Sequence, residues 1–217
     1  MDEAGEEAMA ARIAEALADL AARAHPGLRA SCRAIRRGDE NALSAAEAAP
    51  LGGAVVSVRQ ASGAARIVAR RLLCDLGAEG PLELPRLPSG PPHWPAGFVG
   101  SLAHDEAVAV AAVARTGALR GVGIDVEPAL PLPEELLDMV AAPAERDALA
   151  GDLIEARLLF CAKEAVYKAT NPIDGLFLEH RDVEVLLACG TASTRTGHAL
   201  RLFLCRSPRL LALAILD

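Results

Sequence analysis

Lysine is nearly absent from this sequence of 217 residues, which contains 20 arginines but only two lysines, Lys163 and Lys168. Aromatic residues are also scarce, at 3% of the chain, although 52% of all residues are hydrophobic. A chain of this length and hydrophobic content can bury a core, which is expected to consist mainly of Ala, Leu and Val. The composition therefore predicts a globular protein and not a disordered one.

Several further absences exclude classes of function. No apolar run reaches the roughly 18 residues of a membrane span, and there is no phosphate-binding GxxxxGK[ST] loop. No CxxC pair or Cys/His cluster has the spacing of a zinc site. The net charge of −7 argues against general nucleic-acid binding. The N-terminal segment MDEAGEEAMA is acidic and lacks the features of a secretory signal, so we expect a cytoplasmic protein without membrane or nucleic-acid partners.

Hydrophobic periodicity and turn residues predict an α+β fold in which each half of the chain holds helices and a few antiparallel strands. Helices are predicted at residues 7–22, 59–76, 134–141 and 152–169, with a short one after Pro143. Strands are predicted at residues 28–37, 98–103, 107–114, 121–128, 182–189, 198–206 and 209–216. The Pro/Gly-rich segment 77–97 is predicted to be a long surface loop.

The predicted strand GIDVE carries two carboxylates at alternate positions. Because alternate residues of a strand share a face, Asp125 and Glu127 point together while Ile124 and Val126 point into the core. Two carboxylates about 6.6–7 Å apart at Cα can converge on one cation. The alternative interpretation is a solvent-facing acidic edge.

The predicted helix at 152–169 carries Glu164 and Lys168, which share a face because they are four residues apart. Taken alone, this pair is typical of an exposed ion pair. Both lysines of an arginine-rich chain nevertheless lie in this helix, and Arg and Lys differ as ligands. Three carboxylates with lysines fit Mg²⁺ and a phosphorylated ligand better than zinc.

Four segments together resemble the 4′-phosphopantetheinyl transferases. GIDVE (123–127) and FCAKEAVYKA (160–169) resemble the paired signature GxD(V/I)E and (F/W)xxKEAxxK of that family. GPPHWPAGFVGSLAH (90–104) resembles the preceding segment in the branch of the enterobactin-synthetase transferases. DENALSAAE (39–47) and RIVARRLL (66–73) resemble that branch's N-terminal half, so the resemblance covers nearly the whole chain.

The resemblance implies two similar α/β halves related by a pseudo-twofold axis, which we place at residues 1–117 and 118–217, with the active site in the cleft between them. It implies a monomer that transfers the 4′-phosphopantetheine moiety of coenzyme A (CoA) to a serine of an apo acyl or peptidyl carrier protein. The reaction would require Mg²⁺ and release 3′,5′-ADP. Such enzymes serve polyketide, nonribosomal-peptide or siderophore biosynthesis.

Matching motif positions imply the roles of individual residues. Asp125, Glu127 and Glu164 would be the metal ligands, and Glu164 is also our candidate base for the serine proton, directly or through a water molecule. Lys168 would contact the pyrophosphate during catalysis, and His104 would contact the 3′-phosphate.

Further residues match the family less fully. Arg66 matches an arginine that grips a CoA phosphate, whereas Arg59 and Arg86 are poorer matches for the same task. Lys163 fills the lysine of the KE pair and is assigned to CoA binding. Glu145, after Pro143, matches an acidic position near the metal.

The chain also departs from the family pattern beside His104. Ala103 replaces the usual Ser or Thr, and Asp105 places a negative charge near the implied phosphate site. These departures leave open a catalytically inactive homologue that binds CoA or a carrier protein, as well as an unrelated Mg²⁺-dependent phosphohydrolase. A buried core histidine is the alternative interpretation of His104.

Overall fold

Two antiparallel sheets, one of three strands and one of five, organise the computed structural model, which describes residues 3–88 and 90–217. The N-terminal half contains the following elements: α1 (Glu3–Ala24), β1 (Arg29–Ala34), α2 (Ala45–Ala48), α3 (Val56–Asp75), β2 (Phe98–His104) and β3 (Val108–Arg115). The strand order is β1–β3–β2, so β3 is central and pairs with both neighbours. Single 3₁₀ turns at Asp39–Ala42 and Ala49–Leu51 flank α2.

The C-terminal half forms the larger sheet. Its elements are β4 (Gly121–Glu127), α4 (Leu137–Val140), α5 (Pro143–Leu149), α6 (Leu153–Asp174), β5 (Val183–Leu186), β6 (Thr191–Thr194), β7 (Ala199–Cys205) and β8 (Leu210–Leu216). The strand order is β4–β8–β7–β6–β5, and every pairing is antiparallel. The α+β class predicted from the sequence is confirmed.

The two sheets share a central core. Strand β3 is buried on both faces, and its even-numbered residues pack with α1 and with the inner faces of β4 and β8. Its odd-numbered residues pack against α3. The inner face of β4 contributes Val122, Ile124 and Val126, each at most 1% exposed. Each fully buried side chain of this size contributes about 1.5–3 kcal/mol, so this core joins the halves firmly.

Helix α6 covers the other face of the five-stranded sheet. Asp152 caps its N-terminus by accepting hydrogen bonds from the amides of Ile154 (2.8 Å) and Glu155 (3.1 Å), as the sequence predicts. The helix runs through Pro172 to Asp174, five residues beyond the predicted end, and stops at Gly175, whose φ of 67° suits glycine.

Two glycines of β4 allow α6 to lie directly on the sheet. A Cβ at Gly123 would lie 1.8 Å from the carbonyl oxygen of Ala165, and one at Gly121 would lie 2.5 Å from that of Ala169. A side chain at either position would therefore push the helix away from the strand. Because Asp125 follows on the same face of β4, this close approach brings it beside α6.

Other predictions of secondary structure are corrected in detail. The segment predicted as one strand at 182–189 ends at Leu186, and β6 was not predicted at all. The helix predicted at 134–141 divides into a 3₁₀ turn and the single turn of α4. The loop at 77–97 is confirmed for its described residues and contains one isolated bridge, Arg86–Pro92. None of the described helices is long and apolar enough to cross a membrane. The boundary at 117/118 and the pseudo-twofold axis stay predictions.

Candidate functional site

A cavity of about 330 Å³ lies between the two halves. Its N-terminal wall comes from α2, α3, the 77–97 loop and the end of β2, and its C-terminal wall includes Lys168 of α6. The polar side chains that line it are Glu47, Ser62, Arg66, Arg86, His104 and Lys168. A second cavity of about 270 Å³ adjoins it and shares Arg86 and Lys168.

Lys168 of the C-terminal wall is paired with Asp125, which is buried behind it. The Lys168 Nζ donates to Asp125 Oδ1 at 2.5 Å, and the Asp125 side chain is only 9% exposed. Burial raises the pKa of Asp125, and the nearby Glu164 carboxylate raises it further. Burial lowers the pKa of Lys168, but Asp125 and Glu164 outweigh this effect, so the net shift is upward and the ammonium stays charged.

The other two predicted metal ligands also have cationic or hydrogen-bonding partners. Glu127 Oε2 accepts from Arg157 Nη1 at 2.8 Å, and Glu164 Oε1 contacts His180 Nε2 at 3.1 Å. Burial raises the pKa of Glu127, with Asp125 adding to the effect. The His180 hydrogen bond holds the pKa of Glu164 below its ordinary value.

The predicted triad is consequently not gathered into a ready metal site. Within residues 3–88 and 90–217, no group of three or more His, Cys, Asp or Glu side chains is arranged to hold a metal ion. The physical reason is that Asp125, Glu127 and Glu164 each turn to a separate cationic or histidine partner, which offsets their mutual repulsion.

One observation nevertheless fits a cation at this place. Asp125 Oδ2 is buried and has no hydrogen-bond partner among the described residues, a costly arrangement for a carboxylate oxygen. The Glu164 carboxylate raises the pKa of Asp125, and the Asp125 carboxylate raises that of Glu127. Three carboxylates without a histidine ligand among them are the oxygen donors that Mg²⁺ prefers.

The N-terminal wall brings three of the predicted phosphate-binding residues to the cavity. Arg66 is buried, donating from Nε to Leu84 O (3.1 Å) and from Nη1 to Ser62 Oγ (2.6 Å). Arg86 is exposed and makes no ion pair with the described residues. His104 is exposed at the cavity wall, which rules out the core-histidine interpretation. Desolvation lowers the pKa of His104, and the charge of Lys168 lowers it further.

Three predicted residues lie away from the cavity walls. Arg59 does not line the cavity, and its charge acts instead on Glu40, whose pKa is lowered chiefly by hydrogen bonds of its own segment. Lys163 is 1% exposed and donates to Glu145 Oε2 at 2.6 Å, inside the C-terminal half. Helical rotation separates Lys163 from Lys168, so Lys163 and Glu145 form a buried ion pair and do not line the cavity.

Asp105 has a different environment from the one its position suggests. Its Oδ1 accepts from the amides of Ala107 and Val108, both at 2.7 Å, which closes the β2–β3 turn. Its Oδ2 lies 2.8 Å from Arg209 Nε of the C-terminal half, and its side chain is only 7% exposed. Asp105 is therefore a turn-forming residue whose charge is compensated.

Sequence reasoning missed two residues that shape this site. Glu47 is fully buried under Arg66 and Arg70, and it accepts from the Leu84 amide at 2.6 Å. His180 follows α6 and reaches Glu164. A capping box at Ser44 and Glu47 is legible in the sequence, whereas no motif marks His180.

Comparisons with known proteins identify the family of the chain. Residues 46–114 match the family described as 4′-phosphopantetheinyl transferase N-terminal domain, and residues 121–211 match the 4′-phosphopantetheinyl transferase superfamily. Together the two matches span most of the chain. The chain belongs to the 4′-phosphopantetheinyl transferase superfamily. The recognition made from the four sequence motifs is confirmed.

Individual members of the superfamily match part of the chain. The 4′-phosphopantetheinyl transferase Npt of Nocardia iowensis is 41% identical over 137 residues, which are 62% of this chain and 61% of that protein. The 4′-phosphopantetheinyl transferase Svp of Streptomyces mobaraensis is 42% identical over 144 residues, 58% of each chain. Enterobactin synthase component D of Escherichia coli K12 is 34% identical over 97 residues, covering 42% and 45%. The matches thus span about 60% or less of these relatives' lengths.

Proposed function

We propose that the protein transfers the 4′-phosphopantetheine moiety of CoA to a serine of an apo acyl or peptidyl carrier protein, with Mg²⁺ as cofactor and 3′,5′-ADP as product. The observation that carries the proposal is the cavity between the halves. It brings Arg66, Arg86 and His104 on one wall together with Lys168 on the other, and Lys168 bonds the buried Asp125 behind it. The relatives named as 4′-phosphopantetheinyl transferases support it.

The cavity's chemistry suits CoA, which carries a pyrophosphate and a 3′-phosphate. Arginine and lysine provide charge-assisted hydrogen bonds to phosphate oxygens, and those bonds are stronger than neutral ones. The whole chain is acidic, so a group of three cations and a histidine at one cavity marks a local anion site. The two adjoining cavities, of about 330 and 270 Å³, give room for an extended ligand.

Arg66 is the least mobile of these groups. Burial lowers the pKa of its guanidinium, while the Glu47 carboxylate counteracts that effect. Its hydrogen bonds to Ser62 and Leu84 O fix the side chain before any ligand binds. A fixed cation loses little side-chain entropy on binding a phosphate, which favours affinity.

The proposed reaction is a phosphoryl transfer. The serine oxygen of the carrier bonds to the pantetheine-side phosphorus of CoA, the bond from that phosphorus to the bridging oxygen breaks, and 3′,5′-ADP leaves. Negative charge grows on the leaving phosphate, and the Lys168 ammonium beside the cavity would stabilise it electrostatically. Glu164 would accept the serine proton, directly or through a water molecule.

Asp125, Glu127 and Glu164 are the residues that would hold Mg²⁺. When bound, the ion would supply neutralisation of the charge on the pyrophosphate oxygens. For Glu127 and Glu164 to serve, their contacts with Arg157 and His180 must leave one carboxylate oxygen available, which each single contact allows. Asp125 Oδ2 already lacks a partner among the described residues.

The rim of the second cavity carries an apolar cluster that suits a protein acceptor. Ile173, Leu176 and Phe177 are 40%, 48% and 72% exposed, and the Phe177 ring contacts that of Tyr167 edge-on at 5.7 Å. Tyr167 itself lines the cavity. Exposed apolar clusters of this kind mark contact sites for other proteins, and a carrier must bring its serine to this mouth.

The proposal extends to the cellular setting that the sequence predicts. The protein would act as a cytoplasmic monomer, and the relative named enterobactin synthase component D makes siderophore biosynthesis one pathway to examine. Polyketide and nonribosomal-peptide carriers are the other candidate acceptors.

A second candidate function is an inactive homologue that binds CoA or a carrier protein without transfer. The absence of a gathered metal site among the described residues favours it. The unpartnered Asp125 Oδ2 opposes it, because a binding protein gains nothing from a buried carboxylate oxygen without a partner.

Mass spectrometry of apo carrier proteins after incubation with CoA and Mg²⁺ tests the proposal. We expect the mass of one phosphopantetheine group to be added by wild-type protein. Asp125→Asn should reduce the rate by about 100-fold or more, because an effect of several kcal/mol on the barrier is removed. Binding of CoA without any mass increase on acyl or peptidyl carriers would favour the inactive homologue and contradict the transfer.

A further inference from the structure

A continuous chain of contacts leads from the buried core of the C-terminal half to the partly exposed Glu164. The Lys163 Nζ donates to Glu145 Oε2 at 2.6 Å and to the backbone oxygen of His180 at 2.9 Å. The imidazole of the same His180 contacts Glu164 Oε1 through Nε2 at 3.1 Å. Lys163 and Glu164 are neighbours in sequence, yet they are connected in space through a residue that lies 16 positions further along the chain.

The Lys163–Glu145 end of this chain of contacts is firmly held. Glu145 accepts from the amides of Val185 (2.9 Å) and Ala142 (2.8 Å), one on each carboxylate oxygen, so its side chain is held in place independently of Lys163. The Lys163 side chain is 1% exposed, so breaking this pair would leave one charge buried without its counter-charge, which is strongly destabilising. The backbone of His180 is therefore anchored to two elements, α5 and α6.

The ring of His180 is also restricted. It stacks on Phe160 with a centroid distance of 5.3 Å and an interplanar angle of 34°. Phe160 lies one helical turn before Glu164 on α6, so the ring is held against the same face of the helix that presents the carboxylate. With the backbone and the ring both fixed, Nε2 has one direction in which to hydrogen-bond.

We propose that His180 is a positioning residue that fixes one oxygen of Glu164 and leaves the other for the cation of the transfer site, and that the Lys163–Glu145 pair holds His180 in place. The inference rests on the proposed function, since it assigns Glu164 to the Mg²⁺. Hydrogen-bonded partners behind a ligand orient it, and their loss costs about 10- to 100-fold in metal affinity. The two residues of the KE pair thus have different tasks. Glu164 would face the cation, and Lys163 would hold His180 in place.

Direct titration of Mn²⁺, followed by electron paramagnetic resonance in the presence of CoA, tests the inference without requiring turnover. We expect His180→Leu to weaken Mn²⁺ binding by about 10- to 100-fold. His180→Gln should fall between wild type and His180→Leu, since an amide can donate to the same oxygen. Transfer assays should give the same order in the Mg²⁺ concentration for half-maximal rate.

His198 provides a matched control. Its Nε2 contacts Asp174 Oδ2 at 3.2 Å, and the two histidine side chains are similarly exposed, at 17% for His198 and 21% for His180. His198→Leu should lower thermal stability about as much as His180→Leu while leaving Mn²⁺ affinity unchanged. Equal Mn²⁺ affinities for these two variants would overturn the inference, as would a wild-type protein that binds no Mn²⁺.

A separate variant tests the Lys163–Glu145 pair that holds His180. Replacing both members of the pair, with Lys163→Met and Glu145→Gln, removes both charges together, so neither is left uncompensated. If this double variant folds, its Mn²⁺ affinity should fall below that of wild type. Adding His180→Leu should then lower the Mn²⁺ affinity no further. If the two effects on Mn²⁺ affinity simply added, the Lys163–Glu145 pair would not act through His180. If the double variant does not fold, the comparison of His180→Leu with His198→Leu still decides. Failure of wild type to modify any carrier would refute the proposed function separately.

Discussion

Lys163 and Lys168 are separated by five residues of α6, which rotates the helix by about 140° between them. Lys163 consequently lies in the core of the C-terminal half with Glu145, and Lys168 lies at the cavity with Asp125. Both ammonium groups bond a carboxylate within 2.6 Å. A compact ammonium suits both places better than a planar guanidinium, which needs room for a fork of five donors.

His104 is the residue whose role is most directly testable with ligands. If it contacts the 3′-phosphate, His104→Ala should weaken binding of CoA more than binding of dephospho-CoA, which lacks that phosphate. A hydrogen bond to a charged group contributes roughly 1.5–3 kcal/mol, so CoA should lose about 10- to 150-fold. Isothermal titration with both ligands measures the difference. Equal losses would show that His104 does not contact the 3′-phosphate and would leave Arg66 or Arg86 for that group.

Asp105 is expected to disturb this measurement less than its sequence position suggests. Its carboxylate closes the β2–β3 turn and faces Arg209, so its negative charge is largely compensated. The sequence places Asp105 beside the phosphate site but carries no sign of Arg209, which lies about a hundred positions away. Replacement of Asp105 should therefore lower the stability of the fold more directly than it changes the phosphate site.

At the level of elements, the close approach of β4 and α6 depends on Gly123. Gly123→Ala would put a methyl group 1.8 Å from the Ala165 carbonyl oxygen, where only a shift of backbone can relieve it. Overpacking of this kind costs about 1–3 kcal/mol or more, and the shifted helix would carry Glu164 and Lys168 away from Asp125. We expect lower unfolding free energy in urea together with a lower transfer rate.

Gly53→Ala is the matched control for that substitution. No atom lies within 4 Å of a Cβ built at Gly53, and its φ is not in the left-handed region. It should change stability and rate little. If Gly123→Ala behaved like Gly53→Ala, the close packing of β4 and α6 would not be what positions the site.

Glu47 links three elements and predicts a pH dependence. It accepts from the amides of Ser44 and Leu84 and pairs with Arg70, which together hold its pKa below the ordinary 4.5 although burial alone would raise it. A depressed pKa means that its stabilisation is complete above about pH 4.5 and is lost as the pH falls through the lower, folded value. Glu47→Gln removes this contribution.

Urea unfolding at two pH values measures the effect. At pH 7 we expect Glu47→Gln to lower the unfolding free energy by about 3–5 kcal/mol, because Arg70 and Arg66 lose their counter-charge. At pH 3.5 the difference from wild type should shrink. The exposed Glu83 of the adjoining loop serves as control, and Glu83→Gln should change neither value. A difference that is constant with pH would contradict the ionised, hydrogen-bonded state of Glu47.

The elements also show what the sequence can and cannot predict. Long periodic segments such as α1, α3 and α6 are predicted well, since burial of one face leaves a clear pattern. Strand β6 has the sequence TAST, whose alternation is too weak to separate it from a turn. The grouping of Asp125 and Glu127, and that of Glu164 and Lys168, is predicted from local spacing, whereas the pairing of Asp125 with Lys168 and the contacts of His180 and Arg209 arise only through tertiary folding.

For the whole molecule, the cavity exists only because two halves keep a fixed separation. The apolar core between the sheets supplies most of the attraction and is closely packed, and an ion pair links the halves beside it. Asp105 of the β2–β3 turn and Arg209 before β8 form an ion pair across the halves, with 2.8 Å between Oδ2 and Nε. His104 precedes Asp105 directly, so this contact bears on the position of the N-terminal cavity wall relative to β4.

A double-mutant cycle with Asp105→Asn and Arg209→Gln tests this cross-half pair. The asparagine keeps the oxygen that closes the turn, so the cycle isolates the charge. Because the side chains are only 7% and 20% exposed, we expect a coupling energy of about 0.5–3 kcal/mol in unfolding experiments. The exposed pair Arg201–Asp217, at 46% and 63%, is the control and should give less than about 1 kcal/mol. Both single variants should also weaken CoA binding, because the walls lose their fixed separation. A coupling no larger than the control's would mean that the core alone sets the distance between the halves.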